Sequence, residues 1–207
     1  MIVRHRHSGA ELGVLAPGAA LPYADLRGVD LRGMDLRGVV LDEGDLRGAS
    51  LAESLLVGAQ LTNTDLDDCD LRGADLQRAV LLATNFPRAN LEGARLESAM
   101  ARWADFSAAN LSNVAAARLD LSEANLTEAN LTGACLSCAR LAQADFTRAC
   151  LHGADLSEAD LSRVLLTQAR LDDADLTLAH FYAARLEGAS WRDVILSRTS
   201  FVECQGP

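Results

Sequence analysis

Residues 124–133 read ANLTEANLTG, two copies of one five-residue unit: a small apolar residue, an Asp or Asn, a Leu, then two free positions. The unit continues outward in both directions. From Leu21 to Phe201, 37 positions fall on every fifth residue; 29 are Leu, five are Phe and one is Trp191, which leaves Ala101 and Ala116 as the exceptions. Every Phe of the chain (Phe86, Phe106, Phe146, Phe181, Phe201) lies in this register, and Ala stands two residues earlier at 24 of the 37 positions. A fixed short period sustained over nearly the whole chain marks a solenoid.

Period five belongs to neither common element. On an α-helix, successive Leu would be rotated by about 140° and would spread around the cylinder. In a flat strand, an odd spacing would send them to opposite faces. A chain that turns a corner every five residues satisfies the pattern, because each side then points its Leu and the preceding small residue inward. Four sides would close a square of about 20 residues, stacked on the next at about 4.8 Å. Spacing alone does not fix the number of sides. A side that buries a Leu has little room for a second large group, which explains the Ala. At Ala116 the Leu is lost and Leu119 stands where Ala is usual, either as volume compensation or through a shift of register across 101–119.

Units such as ADLRG (24–28), ANLEG (89–93) and ADLSE (154–158) spell A(D/N)LXX. Over residues 19–203 the sequence resembles the pentapeptide-repeat family. The resemblance implies an all-β fold, a right-handed quadrilateral β-helix (β-solenoid) of about nine coils of four pentapeptides, in a rod roughly 45 Å long. Residues 1–18 would form an N-terminal leader or cap, 19–203 one domain, and 204–207 a C-terminal tail. Two textures share it. DLRG recurs at 25–28, 30–33, 35–38, 45–48 and 70–73, whereas beyond about residue 105 the free positions are mainly Ser or Thr.

Composition excludes several functions. The chain carries 29 acids against 19 basic residues, all Arg, for a net charge of -10, which disfavours direct contact with nucleic acid or an anionic membrane. The leader MIVRHRHSGAELGVLAPG lacks the apolar core of a signal peptide, so the cytoplasm is the expected location. Five scattered Cys do not form a disulfide framework. Cys135 and Cys138 make a CxxC without the second pair a zinc site needs, so a filler role is expected, with neither metal nor cofactor. His5, His7, His152 and His180 have no catalytic neighbours in sequence, and no insertion between 21 and 201 builds a cleft. An enzyme is not expected.

Three surfaces stand out. With residues about 20 apart in one column, Asp42, Glu43, Asp45, Asp65, Asp67, Asp68 and Asp70 gather in one acidic cluster. Asp155, Glu158, Asp160, Asp172, Asp173 and Asp175 gather in another. Such clusters are either ordinary solvated surface or a negative strip for a basic groove. Val80, Leu82 and Ala83, with Met100 and Trp103 one coil on, form an outward apolar patch, which fits partner contact or crowding around Ala101. Solenoid ends need caps. Trp191, Ile195, Phe201 and Val202 are followed by too short a tail for one, so this end is a candidate homodimer surface.

Some members of the family bind type II topoisomerases as DNA mimics and protect gyrase from poisons. The resemblance therefore implies, first, a non-enzymatic acidic rod that binds DNA gyrase or topoisomerase IV and confers protection or immunity. Charge tempers this. Duplex DNA presents roughly 26 charges over 45 Å, whereas here Arg offsets most of the acids. The C-terminal dimerising helix and projecting loops common in those members have no counterpart. The alternative is a protein-interaction scaffold or regulatory module that uses the patch at 80–103 with another partner.

Overall fold

The computed structural model describes residues 2–5 and 7–206. Met1 and Arg6 of the leader and Pro207 of the tail lie outside them. Parallel bridges link each residue before a central Leu to the residue 20 further on, as in Asp25↔Asp45↔Asp65↔Asn85↔Asp105. Four pentapeptides therefore make one coil. The four faces are identified here by their first central residues, Leu21, Leu26, Leu31 and Leu36.

One repeat accounts for nearly all its backbone donors. In the unit centred on Leu26, the N–H of Leu26 and of Gly28 donate to Asp45 and Arg47 of the next coil, at 2.8 and 2.9 Å. The N–H of Val29 closes the turn onto the Leu26 carbonyl at 3.2 Å. The N–H of Asp45 reaches back to Ala24 at 2.8 Å, completing the ladder. The remaining donor, the N–H of the residue after Leu, goes to the Asx side chain before Leu: Thr147 to Asp145 at 2.8 Å, Ser157 to Asp155 at 3.0 Å. This is why the second position is Asp or Asn, the residues that bond their own backbone two positions on.

The corners are uniform. At every fifth residue from Gly18 to Glu203, φ is positive while the preceding residue is not, the pattern of a type II turn. At 27 of these positions the residue is not Gly, so the coil-to-coil ladder imposes a conformation the side chains disfavour. The register runs through 101–119 without a break, since Trp103, Ala108, Asn113 and Arg118 all keep it. Leu119 is buried to 2% and its N–H closes the turn onto Ala116 at 3.1 Å. Compensation of volume, not a shifted register, explains that irregularity.

The interior is one continuous column of Leu, Phe and Ala, nearly all at 0–4% exposure from Leu15 to Leu186. Phe86 and Phe106 stack at 4.6 Å, and Phe181 and Phe201 at 4.7 Å, as their 20-residue spacing requires. Where Thr replaces the inward Ala, its hydroxyl returns to a carbonyl of the preceding coil, as Thr84 does to Leu61 at 2.6 Å. Cys69 does the same toward Leu46, and burial pushes its thiol up to about 12. That sulfur is filler.

The two ends differ. At the start, β1 (Ile2–His5) and β2 (Glu11–Val14) form an antiparallel hairpin, and β1 also pairs antiparallel with β3 (Ala24–Asp25), covering the open edge of the first coil. At the far end, β4 (His180–Tyr182) pairs in parallel with β5 (Ser200–Val202), and no described element lies beyond to cover β5. Among the described residues there is no helix.

Candidate functional site: two acidic clusters, an apolar strip and an open end

The acidic clusters differ in how their carboxylates are engaged. In DLRG the Arg folds back over its own Asp: Arg47 holds Asp45 by paired bonds at 2.8 and 2.7 Å, and Arg72 holds Asp70 at 2.8 Å twice. Arg27 also lies 3.7 Å from Asp45, Arg47 lies 3.6 Å from Asp65, and Arg88 grips Asp67 at 2.6 Å and Asp68 at 3.0 Å. Asp42 accepts the Thr62 N–H at 2.7 Å, and Glu43 accepts from the Tyr23 hydroxyl at 3.1 Å. Asp45 corrects the reading of an outward surface: at 4% exposure it is buried under its arginines. Hydrogen bonds from Arg88 and Arg72 hold Asp68 and Asp70 below the usual carboxylate range, and Arg47 is shifted upward chiefly by its bond to Asp45.

In the second cluster no arginine pairs with a carboxylate among the described residues. Asp155 accepts from the Ser157 N–H and hydroxyl, Asp160 from the Ser162 N–H and Asp175 from the Thr177 N–H. Asp172 takes the Ser190 hydroxyl and the Arg192 N–H, which chiefly lower its pKa, and the nearby charges of Arg192 and Arg170 add to the shift. Asp173 has only His152, at 3.4 Å. Glu158 stands exposed, with the Cys138 thiol at 3.8 Å. Asp155 and Asp175 are direct neighbours on the Leu36 face, and the second oxygen of Asp155 accepts from the Cys135 thiol at 3.8 Å, so no positive charge pairs with either among the described residues. The sequence signal was the residue after Leu, Arg in one half and Ser or Thr in the other.

The apolar residues come together on the Leu21 face. Val80 and Met100 are bridged neighbours, Met100 is 45% exposed and Trp103 51% exposed, while Val80 and Leu82 are half-buried. The Arg102 guanidinium lies 4.6 Å over the Trp103 ring and bonds Glu123 at 3.1 Å. At the far end an open apolar depression of about 560 Å³ is lined by Leu186, Trp191, Leu196, Phe201 and Cys204. Trp191 meets Phe181 and Phe201 edge-on at 6.2 and 6.1 Å. Ile195 and Val202 are 52% and 42% exposed. Leu196 and Phe201, central to the last two repeats, are 46% and 43% exposed.

Cys135 and Cys138 sit at one corner of the Leu36 face, and all five cysteines are free thiols. Among the described residues no three His, Cys, Asp or Glu gather as metal ligands. Among the described residues no helix is long and apolar enough to cross a membrane.

The family model for pentapeptide repeats matches in successive copies that run from residue 18 to residue 198. The chain belongs to the pentapeptide-repeat family. Pentapeptide-repeat proteins fold as right-handed quadrilateral β-helices, and the 20-residue bridge spacing fits that architecture. Proteins of this family generally act in structural and interaction roles without catalysis. A solved structure of HetL, a pentapeptide repeat protein involved in heterocyst differentiation regulation from the cyanobacterium Nostoc, is 34% identical, with 89% of this chain and 81% of that one covered and a TM-score of 0.75. A thylakoid-lumen pentapeptide repeat protein from Arabidopsis thaliana is 32% identical over 48% of this chain and 66% of that one, with a TM-score of 0.37. QnrB1, a plasmid-mediated fluoroquinolone resistance protein, is 14% identical over 90% of this chain and 93% of that one, with a TM-score of 0.43. No curated protein matches the sequence.

Proposed function

We propose that this pentapeptide-repeat protein is a non-enzymatic cytoplasmic rod that lays its acidic C-terminal half into a basic groove built for DNA, that of a type II topoisomerase such as DNA gyrase or topoisomerase IV. One observation carries the reading. Among the described residues no arginine side chain forms an ion pair with the carboxylates from Asp155 to Asp175, and Leu196 and Phe201 of the same half are exposed. Joining two such ends through Trp191, Ile195, Phe201 and Val202 would set two acidic halves in line and bury the exposed core. The doubled strip would offer a basic groove twice the acidic length at the same charge density. Bound this way, the rod would protect the enzyme from poisons by excluding DNA.

The test is a gyrase supercoiling assay with and without a poison, using wild type and an Asp155→Asn/Asp160→Asn/Asp175→Asn variant. Wild type should inhibit supercoiling or protect the enzyme at micromolar concentration, and the variant should lose at least tenfold, as expected for removing three charges from an electrostatic interface. No effect of wild type would overturn the reading. In parallel, light scattering should give the mass of a dimer, which Phe201→Asp reduces to a monomer.

A second reading is favoured by the 34% identity to HetL, whose described role is regulation. The rod would then be a scaffold or regulatory module that binds another protein through the strip at 80–103.

A further inference from the structure

Arginine is distributed unevenly along this rod. Every Arg from Asp25 to Gly73 lies on its own Asp, whereas Arg78 and Arg118, like Arg163, Arg170, Arg192 and Arg198 further on, make no ion pair among the described residues, and both are exposed. They share one turn position after the Leu36 face, with Ser98 between them: the Arg78 N–H bonds to Glu97, and the Ser98 N–H bonds to Ala117. Two coils separate them, about 10 Å. Two residues downstream the chain enters the Leu21 face, where Val80 and Met100 lie. The far edge of that face carries Leu82 and Trp103. A strip of apolar side chains is thus bordered on one side by two unpaired guanidinium groups, on a molecule whose net charge is -10.

Trp103 adds a second observation. It stands at a turn position, where its φ of 61° matches the other corners, and half its surface faces solvent. Arg102 stacks on one face of the ring and leaves the other open; its Nε is shielded from solvent without a hydrogen-bond partner. The ring is presented rather than packed. Exposed aromatic and Arg groups of this kind are what interfaces use as anchors.

We infer that the face from Val80 to Trp103 is the docking site of an acidic segment of a partner protein, one that sets apolar side chains between its carboxylates. The apolar groups cover Met100 and Trp103, and the carboxylates reach Arg78 and Arg118. Charge selects this occupant. A basic segment would meet like charge along this edge, whereas the acidic clusters further along the rod would attract it. The inference rests on the second reading above and is independent of topoisomerase binding.

The test uses the full chain with Trp191→Phe, so that Trp103 alone reports, and a glutamate–tyrosine copolymer as probe at physiological salt. Titration should shift the Trp103 emission and saturate. Polyglutamate should bind at least tenfold more weakly for want of apolar groups, and Arg78→Glu/Arg118→Glu should weaken the copolymer tenfold or more by like-charge repulsion. Arg78→Gln/Arg118→Gln should show a smaller loss in the same direction. No saturable shift, equal binding of polyglutamate, or unchanged binding by both charge variants would overturn the proposal. So would a concentration-dependent dimer that Trp103→Asp abolishes, because that assigns the face to a second copy. Neither arginine variant should alter gyrase supercoiling, so the two readings fail separately.

Discussion

The stretch from Asp25 to Gly73 and the stretch from Asp105 to Thr177 share one backbone and one core but present different chemistry to solvent. Both run the same ladder, turn with the same positive φ and bury the same Leu and Ala. They differ at the residue after Leu. Arg27, Arg32, Arg37, Arg47 and Arg72 each reach back to the Asp two residues earlier, so the acid is consumed within the unit. Ser107, Ser157 and Thr177 occupy the same position and give that Asp a backbone N–H, with the hydroxyl added at Ser157, but no positive charge. A change of one outward residue per repeat converts a self-satisfied surface into one with spare acceptor capacity. In a solenoid, fold and surface are written at separate positions, so function can vary while the coil is preserved.

The comparison can be broken at the core first. Leu46→Ala and Leu126→Ala remove side chains that are fully buried in the first and second half, and each should cost about 2–5 kcal/mol in urea unfolding. Similar costs confirm that the halves share one interior; a difference beyond 2 kcal/mol would mean that one packs more loosely.

Acid should separate the halves next. Arg32 holds Asp30 down to about 2, and arginines likewise depress Asp35, Asp68 and Asp70, whereas Asp172 is depressed by Ser190 and a backbone N–H. A carboxylate depressed in the folded state stabilises it above the unfolded pKa, and that contribution disappears as pH falls through the folded value. Between pH of about 4 and about 2 the first half should therefore lose more stability than the second. Amide exchange followed by mass spectrometry would locate the loss, and opening that starts in the second half would contradict it.

Turn strain should be a smaller effect. The φ of Gly93 is +65°, and an added Cβ would meet nothing within 4 Å, so Gly93→Ala should cost only the conformational penalty of about 1 kcal/mol. Gln143→Gly, at the equivalent position of the second half, should gain up to about 1 kcal/mol. Thermal denaturation of both variants checks the pair, and a stabilising Gly93→Ala would refute the strain argument.

The smallest stability effect belongs to the residue that distinguishes the halves. Arg27→Ser, Arg32→Ser and Arg72→Ser should each change stability little, because an ion pair made by a solvent-exposed arginine contributes weakly. Together they should raise electrophoretic mobility toward the anode, since three positive charges are removed. A large loss of stability would show that the arginine clasps hold the coil together.

The period of five made the core legible: Phe86 above Phe106 follows from a 20-residue coil, and the inward Ala from the volume a neighbouring Leu occupies. Legibility declined at the surface. A column assignment brings Asp45 and Asp65 together, yet it says nothing of where the Arg47 side chain goes, and that side chain buries Asp45. The irregularity at Ala101 and Ala116 likewise left compensation and register shift open until the unbroken run of positive φ decided for compensation.

Sequence alone determined the repeat and the inward residues, because both follow from local spacing and the volume a narrow core accepts. Tertiary structure decided which charges remain available, how the leader hairpin lies across the first coil, and where Arg78 and Arg118 border the apolar strip. Those properties depend on side chains reaching across coils 20 residues apart in the chain and about 4.8 Å apart in space.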